Sequence, residues 1–227
     1  MNVYDEGRVI LINKPYRWTS FDVVKKIRNI TKAKRVGHAG TLDPLATGLL
    51  IVCTGKFTKQ ISVIQDAEKE YTGTFYLGAV TPSYDRETEI IQTFDVNHIT
   101  NEIISHALVG FRGEIMQSPP LHSAVKVNGQ RAYKMARRGD DHVLAAKPVF
   151  IKEFEITDIA MPLLHFRIVC SKGTYIRSIA NDLGKTLNSG AYLYDLCRTR
   201  IGDYSLDKAV QVKDFQVEAD HIRADPE

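Results

Sequence analysis

The 227-residue sequence predicts an α+β fold with a mixed, largely antiparallel sheet flanked by helices. Segments with helix and strand periodicity are intermixed along the chain, and hairpin signals such as Asn128-Gly129 favour antiparallel pairing. Neither a GxGxxG motif nor a GxxxxGK motif followed by Ser or Thr occurs in the sequence. Folds that bind a nucleotide cofactor on a doubly wound parallel sheet therefore have little support.

The N-terminal region begins with a short apolar run at residues 9–12, which indicates a buried strand. The run ends at Asn13-Lys14-Pro15, a turn signal. Next, Thr19 or Ser20 can cap a helix, because apolar residues then recur at a spacing near 3.6 as far as Ile30.

The rest of the chain continues this mixture of strands and helices. In chain order, the predicted elements are strands at 49–53 and 71–77, a helix at 100–111, a strand at 123–127, a short basic helix at 131–138, strands at about 149–157 and 163–170, and a helix after Gly173-Thr174.

The composition is that of an ordinary globular protein, with 44% hydrophobic and 25% charged residues. The longest apolar runs are too short to cross a bilayer, and Asp5 and Glu6 precede the first of them, which is the wrong charge for a secretory signal. We therefore expect a cytoplasmic protein with no membrane partner. Three cysteines without a CxxC pair, and seven histidines without an HxH or HxxxH pair, predict neither a disulfide framework nor a metal site.

The net charge of +3 conceals two basic blocks. Residues 8–60 carry eleven Lys/Arg against two Asp, and residues 126–152 carry seven against two. By contrast, residues 61–114 have a net charge of −6 and residues 214–227 a net charge of −4. Such blocks indicate a polyanionic partner, although basic helix faces exposed to solvent would give the same pattern.

The segment from Gly37 to Gly48 is the candidate site for chemistry. Its three glycines allow positive φ or a close approach to a ligand. Asp43 precedes Pro44, which disfavours the helical conformation at the aspartate and presents its carboxylate from a turn. An aspartate followed by proline is equally typical of a helix start, and both interpretations fix the side chain.

Five motifs, in order along the chain, resemble those of the TruB pseudouridine synthases. The most informative is GHAGTLDPLATGLL at residues 37–50, which is similar to the active-site motif of that family. The resemblance spans about residues 8–202. The other motifs are LINKP at 11–15 with Thr19-Ser20, KEY at 69–71, PPLHSA at 119–124 running to GQRAY at 129–133, and CSKGTYIR at 170–177 followed by Gly190-Ala191.

The resemblance implies a pseudouridine synthase fold with a central active-site cleft. It also implies that Asp43 is the nucleophile and that Arg177 pairs with its carboxylate. Tyr71 would stack on the target base, and Lys14 would support the active-site loop. Taken singly, Tyr71 could instead be a core residue of its strand and Lys14 a solvated turn lysine.

Three further residues are implied to bind the substrate. Tyr175 and Leu196 would line the uridine pocket, and His38 would contact the RNA where the target base is flipped out. His38 alone could equally be a loop histidine with local hydrogen bonds.

Arg177 has independent physical support. If Thr174 caps the helix that follows, Arg177 lies in its first turn, where the helix macrodipole disfavours a cation by about 0.3–1 kcal/mol. An anionic partner elsewhere would explain this placement, and Asp43 is the candidate. Pairing with arginine keeps an aspartate ionised, as nucleophilic attack requires.

The predicted partner is tRNA, bound through its T arm. The target uridine must leave the base stack at a cost of a few kcal/mol, so an aromatic platform and basic backbone contacts are expected. Residues 117–147 combine turn signals with basic residues and are predicted to form a flexible RNA-gripping insertion, although a surface hairpin would have the same composition. The RNA-binding residues predicted there are Lys126, Arg131, Tyr133, Arg137 and Arg138.

We expect one catalytic domain at residues 1–210, followed by an acidic C-terminal tail at 211–227. Members of the family often carry a C-terminal RNA-binding PUA domain, whereas only about 25 residues follow Gly202 here. Cys197 also stands where a basic residue is common beside Arg198. Both departures concern the extent of RNA contact rather than the chemistry.

The predicted function is isomerisation of a T-loop uridine, tRNA position 55, to pseudouridine, with no metal, cofactor or obligate protein partner. The reaction breaks the N1–C1′ bond, rotates the base and rejoins it through C5, so no redox step or activated donor is required. The covalent intermediate could form at the base C6 or at the ribose C1′. A guide-RNA-dependent synthase and a non-catalytic tRNA-binding or tRNA-folding protein are the alternative functions.

Overall fold

The structure is a computed structural model that describes residues 2–123, 126–127, 130–131 and 144–224. Its internal contacts divide the chain into two units. Unit 1 comprises Met1–Tyr71 and Leu196–Glu227, and unit 2 comprises Thr72–Asp195. Residues 1–210, which we expected to form one catalytic domain, are therefore divided between the two units.

The elements are numbered in chain order. The helices are α1 (Val3–Glu6), α2 (Ser20–Thr31), α3 (Ile61–Asp66), α4 (Asn101–Val109), α5 (Ile176–Thr186) and α6 (Val212–Ala224), with 3-10 helices at Gly55–Gln60 and Leu206–Lys208. The strands are β1 (Val9–Lys14), β2 (Val36–Ala39), β3 (Thr47–Thr54), β4 (Lys69–Leu77), β5 (Ala79–Val80), β6 (Gln92–Thr93), β7 (Gly113–Gln117), β8 (Lys126–Val127), β9 (Gln130–Arg131), β10 (Lys147–Ala160), β11 (Leu163–Cys170), β12 (Ala191–Ile201), β13 (Tyr204–Ser205) and β14 (Val210–Gln211).

Unit 1 is built around a mixed sheet in the order β14-β1-β3-β12, with β2 paired to β3 and β13 to β12. The β1–β14 and β3–β12 pairs are parallel, and the others are antiparallel. Leu50 and Val52 of β3 share one core cluster with α2, and Leu49 and Ile51 belong to a second cluster. Both faces of β3 are therefore buried, which explains why its sequence is an unbroken apolar run.

The start of α2 confirms that Thr19 is the capping residue. Its hydroxyl accepts a hydrogen bond from the Asp22 amide at 3.0 Å, and the Asp22 carboxylate accepts one from the Thr19 amide at 2.9 Å. This capping box satisfies two amides that the first helical turn would otherwise leave unpaired. The neighbouring Ser20 hydroxyl is then available for a contact outside the helix.

Two segments of unit 1 differ from the sequence-based expectation. Val36–Ala39, which overlaps the start of the glycine-rich Gly37–Gly48 segment, forms β2 because its backbone pairs with residues 51–54 of β3. This long-range pairing outweighs the weak local strand propensity of a glycine-containing stretch. Residues 212–224, expected as part of an acidic tail, form α6, and its Phe215 and Ala219 are buried in the core with α2.

Unit 2 contains the strand order β4-β11-β10-β7, with α4 and α5 in the same unit. Its core includes Phe75 and Phe166, whose rings stack with centroids 4.0 Å apart, and Phe154, which contacts Phe75 edge-on. Gly73 is required beside them, because a Cβ there would lie 2.4 Å from the Asp195 carbonyl oxygen. The predicted strands at 149–157 and 163–170 are confirmed as β10 and β11, which pair in antiparallel fashion.

The predicted mixed, largely antiparallel sheet is thus confirmed. One detail of unit 2 is corrected: Arg131 lies in β9, paired with β8, and does not begin a helix, while 132–138 lie outside the described residues. Across the part of the chain that the structure describes, no helix combines the length and apolar character needed to cross a bilayer.

Candidate active site

Asp43 occupies the first position of a tight turn in unit 1. The Ala46 amide donates a hydrogen bond to the Asp43 carbonyl at 3.1 Å, and Pro44 fills the second position of the turn. The chain then enters β3 at Thr47. The turn interpretation is therefore confirmed and the helix-start interpretation is wrong. The aspartate is half-buried.

The backbone on both sides of Asp43 is held by the connection between β1 and α2. On one side, the Ser20 hydroxyl donates to the Leu42 carbonyl at 3.1 Å and accepts from the Leu42 amide at 2.9 Å. On the other side, the Arg17 amide donates to the Pro44 carbonyl at 2.8 Å. Asp43 thus lies between two residues whose backbones are fixed.

Lys14 reinforces the same turn from within the core. Its ammonium is completely buried and donates to the carbonyls of Pro15, Trp18 and Pro44, at 3.0, 2.6 and 3.3 Å. All three N–H groups of the ammonium therefore have an acceptor. Burial lowers the pKa of Lys14 to about 8, and the nearby carboxylate of Asp43 acts in the opposite direction.

Arg198 of β12 is a second buried cation beneath this loop, and the sequence-based list of site residues lacks it. Its guanidinium donates to the carbonyls of Gly40 at 3.0 Å, Thr41 at 3.3 Å and Leu49 at 2.9 Å. Gly48 allows the close approach: it has a φ of 98°, and a Cβ there would lie 2.4 Å from the Arg198 carbonyl oxygen. A single arginine in a strand gives no signal in the sequence that its side chain is buried. Gly48 is the available signal, because a glycine beside a strand indicates that another backbone approaches closely.

His38 lies on β2, opposite Val52 of β3, rather than in a loop. Burial lowers the pKa of His38, Arg198 lowers it further, and the Gly40 backbone partly offsets both. Its Nδ1 atom is buried and makes no hydrogen bond with a described residue.

In unit 2, Arg177 lies in the first turn of α5, as expected, although the capping position is Tyr175 rather than Thr174. The Thr174 hydroxyl instead donates to the Ser171 carbonyl at 3.0 Å. Arg177 is only 3% exposed, and its guanidinium donates to the His122 carbonyl at 3.1 Å. A cation buried at the positive end of a helix requires compensation by acceptors and negative charge.

Asp85 supplies negative charge to Arg177 and is a site residue that the sequence reasoning missed. The Asp85 carboxylate lies 3.7 Å from the Arg177 Nε atom, and both side chains are buried. The other Asp85 carboxylate oxygen accepts a hydrogen bond from the Glu87 amide at 2.9 Å, which fixes the turn. Thr81, Ser83 and Asp85 are residue types whose side chains hydrogen bond to nearby backbone, as they do here. Their clustering in the sequence is the signal that could have indicated a rigid turn.

The other predicted residues are distributed between the two units. Tyr71 on β4 and Leu196 on β12 are buried and belong to unit 1, as do Lys14, His38 and Asp43. Tyr175 belongs to unit 2 with Arg177. The Tyr175 backbone is fixed by Gln117, which accepts from its amide at 2.8 Å and donates to its carbonyl at 3.1 Å.

The predicted RNA-binding set is described only in part. The backbones of Lys126 and Arg131 lie opposite each other in the β8–β9 pair, whereas Tyr133, Arg137 and Arg138 lie outside the described residues. Unit 1 contains a basic cavity of about 280 Å³. The sequence predicted the basic block at residues 8–60 to which its lysines and arginine belong, but not the cavity itself. Its lining residues are Asp5, Lys34, Arg35, Gly55, Lys56 and Lys59.

No group of three or more His, Cys, Asp or Glu side chains that could hold a metal ion occurs among the residues the structure describes. None of the three cysteines, all of which lie among the described residues, forms a disulfide bond.

Comparison with known proteins identifies the family. Residues 28–176 match the N-terminal domain of the TruB family of pseudouridylate synthases. The tRNA pseudouridine synthase B of Flavobacterium johnsoniae is 53% identical over 220 residues, which cover 94% of this chain and 96% of that protein. The protein of the same name from Phocaeicola vulgatus is 51% identical over 219 residues, which cover 93% of each.

Among solved structures, a chain of a Cbf5–Nop10–Gar1 complex matches with a TM-score of 0.76 and 28% sequence identity. The match covers 97% of this chain, which spans 56% of the length of that longer relative. The sequence match and the two relatives together show that the chain belongs to the TruB family of pseudouridylate synthases.

Proposed function

We propose that the chain isomerises uridine to pseudouridine in the T loop of tRNA, at position 55, with Asp43 as the nucleophile. The observation that carries this proposal is the restraint on Asp43. Its neighbours Leu42 and Pro44 are hydrogen bonded to the segment between residues 14 and 20. A nucleophile held in one geometry needs little further ordering to reach the reacting atom, which lowers the barrier to attack.

In the proposed reaction the ionised Asp43 carboxylate attacks either C6 of the base or C1′ of the ribose, and the N1–C1′ bond breaks. The base then rotates, C5 bonds to C1′, and the bond between Asp43 and the substrate breaks, which restores the free carboxylate. The C5 proton is lost and N1 gains a proton, so the product has the same atoms and charge as uridine. The isomerisation therefore needs neither an oxidant nor a group donor.

The remaining residues act on the substrate or on Asp43 in this proposal. Tyr71 stacks on the target base, Tyr175 and Leu196 line its pocket, and His38 contacts the RNA. Lys14 holds the turn through the Pro44 carbonyl.

The pairing of Arg177 with Asp43 stays a prediction. Within unit 2 the guanidinium lies beside the Asp85 carboxylate, at 3.7 Å. We infer that Asp85 orients Arg177, because a buried guanidinium adopts a fixed direction when carbonyls and a carboxylate surround it.

A tRNA substrate is supported by the two relatives named tRNA pseudouridine synthase B. The matches to this chain cover more than nine-tenths of each relative. The cavity lined by Lys34, Arg35, Lys56 and Lys59 supports a polyanionic partner. Recognition of the T arm, a cytoplasmic location and independence from protein partners are parts of the same proposal.

A guide-RNA-dependent synthase has weaker support. The matching chain of the Cbf5–Nop10–Gar1 complex is 28% identical and considerably longer, whereas the two named tRNA synthases exceed 50% identity. A non-catalytic tRNA-binding or tRNA-folding protein would have no need for a restrained Asp43 between Leu42 and Pro44.

The direct test is to incubate the purified protein alone with an unmodified T-arm stem-loop and to map pseudouridine by carbodiimide labelling and primer extension. A stem-loop with cytidine at the target position is the matched control. We expect pseudouridine at position 55 (tRNA numbering) of the stem-loop that has uridine there, and none in the control stem-loop. Product that forms only after a guide RNA and partner proteins are added would contradict the proposal.

A further inference from the structure

Three tyrosines and one arginine form a stacked ladder in unit 2, outside the residues assigned to catalysis. Tyr76 of β4 stacks on Tyr192 of β12, with ring centroids 5.1 Å apart and an interplanar angle of 19°. It also stacks on Tyr194, at 6.3 Å and 25°. The guanidinium carbon of Arg86 lies 4.4 Å from the centroid of the Tyr194 ring. The planar groups therefore follow each other in the order Tyr192, Tyr76, Tyr194, Arg86.

One end of this ladder is buried and the other reaches solvent. Tyr192 is 6% exposed, Tyr76 and Tyr194 are half-buried, and Arg86 is exposed. The group at the solvent end is therefore a guanidinium. Its planar face can stack on a nucleobase while its N–H edges bind phosphate or base oxygens.

The local sequence makes a basic residue at this position unusual. Arg86 is the only Lys or Arg between Lys69 and Arg112, and it is flanked by Asp85 and Glu87. Nevertheless, within the described part of the chain its side chain forms no ion pair with a carboxylate. The described contact of its side chain is with Tyr194, where the guanidinium carbon lies over the face of the ring.

The ladder is attached to the same backbone as the Asp85–Arg177 pair. Arg86 directly follows Asp85, and Asp85 forms a β-bridge with Leu193, the residue between Tyr192 and Tyr194. The Leu193 amide also donates to the Tyr84 carbonyl at 2.9 Å. A base stacked on Arg86 would thus lie on a rigid part of unit 2, close in the chain to a residue that contacts Arg177.

We propose that Arg86, supported by Tyr194 and Tyr76, is a stacking platform for an unpaired nucleobase of the substrate RNA, at a nucleotide other than the target uridine. This inference rests on the proposed function only in taking RNA as the substrate. Stacking on such a platform tolerates any base, so it would position the loop rather than read its sequence.

The test measures the affinity of a fluorescently labelled T-arm stem-loop for the wild type, Arg86→Ala and Arg86→Lys by anisotropy titration. Lys185→Ala is the charge control, because Lys185 is 69% exposed in the same unit. We expect Arg86→Ala to weaken binding about fivefold or more, the effect of losing one stacked base. Arg86→Lys should remain weakened because lysine keeps the charge but not the plane, and Lys185→Ala should have a smaller effect than either variant.

A second set of titrations uses stem-loops that each lack one loop base. One abasic position should weaken binding to the wild type and have no further effect on Arg86→Ala, because the platform and its base act together. The proposal would be overturned if Arg86→Ala bound RNA as tightly as the wild type, or if Arg86→Lys restored full affinity. It would also be overturned if every abasic position weakened binding equally for the wild type and Arg86→Ala. A wild type that binds but forms no pseudouridine would refute the proposed function and leave this comparison intact.

Discussion

Replacing Lys14 with methionine removes a buried ammonium and keeps an unbranched side chain of similar length. Burial lowers the pKa of Lys14 from 10.5 to about 8, despite the opposing effect of Asp43. With a lower pKa in the folded state, the folded protein releases this proton at a lower pH than the unfolded chain does. Folding stability should therefore rise as the pH increases from about 8 towards 10.5.

The magnitude follows from the same values. A pKa lowered from 10.5 to about 8 corresponds to about 3 kcal/mol of unfolding free energy, of which about 2 kcal/mol is gained between pH 7 and pH 9.5. Lys14→Met has no proton to release at this position and should lack the gain. Urea unfolding at both pH values should therefore show the stability of the wild type, relative to Lys14→Met, increasing by about 2 kcal/mol at the higher pH.

Lys25→Met is the matched control, because Lys25 is exposed on α2 in the same unit. A stability difference between wild type and Lys14→Met that is the same at both pH values would refute the reasoning about burial. At pH 7 the methionine variant should also lose roughly tenfold or more in kcat/KM, since the Pro44 carbonyl beside Asp43 loses a donor.

Three further predictions concern charge and cofactors. Asp85→Asn removes the carboxylate beside the buried Arg177 and should lower the unfolding free energy by about 2 kcal/mol in urea titrations; wild-type stability would contradict the described ion pair. Neutralising Arg137 and Arg138 together should flatten the slope of log K against log salt by up to about 1.4 while single-turnover isomerisation is retained, and an unchanged slope would exclude both residues from the RNA footprint. Activity should survive treatment with a chelator, because the sequence lacks the paired His or Cys spacings of a metal site; loss of activity that only a metal ion restores would show that the mechanism is wrong.

Features that depend on neighbouring residues could be predicted from the sequence. The helix start at Thr19 is one example, because the capping box involves only Thr19 and Asp22. The turn at Asp43 is another: Pro44 restricts the residue before it, and the hydrogen bond that closes the turn spans only three residues. The strand at 49–53 was also predicted, from its apolar run, and it lies within β3.

Features that depend on distant partners could not be predicted in this way. β2 forms because β3 supplies backbone partners, although its own composition favours a loop. Helix α6 is stabilised by burial of Phe215 and Ala219, whereas its acidic sequence suggested a solvated tail. Arg198 reaches the Gly40 carbonyl across 158 positions of sequence, so no local pattern distinguishes it from a surface arginine.

The catalytic assignment of Asp43 is tested most directly by single-turnover isomerisation with Asp43→Asn, which changes the carboxylate to an amide of the same shape. Asp214→Asn, an exposed substitution on α6 in the same unit, is the matched control. We expect Asp43→Asn to bind the T-arm stem-loop within about twofold of wild type and to form no pseudouridine, while the control reacts normally. Pseudouridine formation by a clean preparation of Asp43→Asn at a rate comparable to wild type would contradict the assignment of Asp43 as the nucleophile.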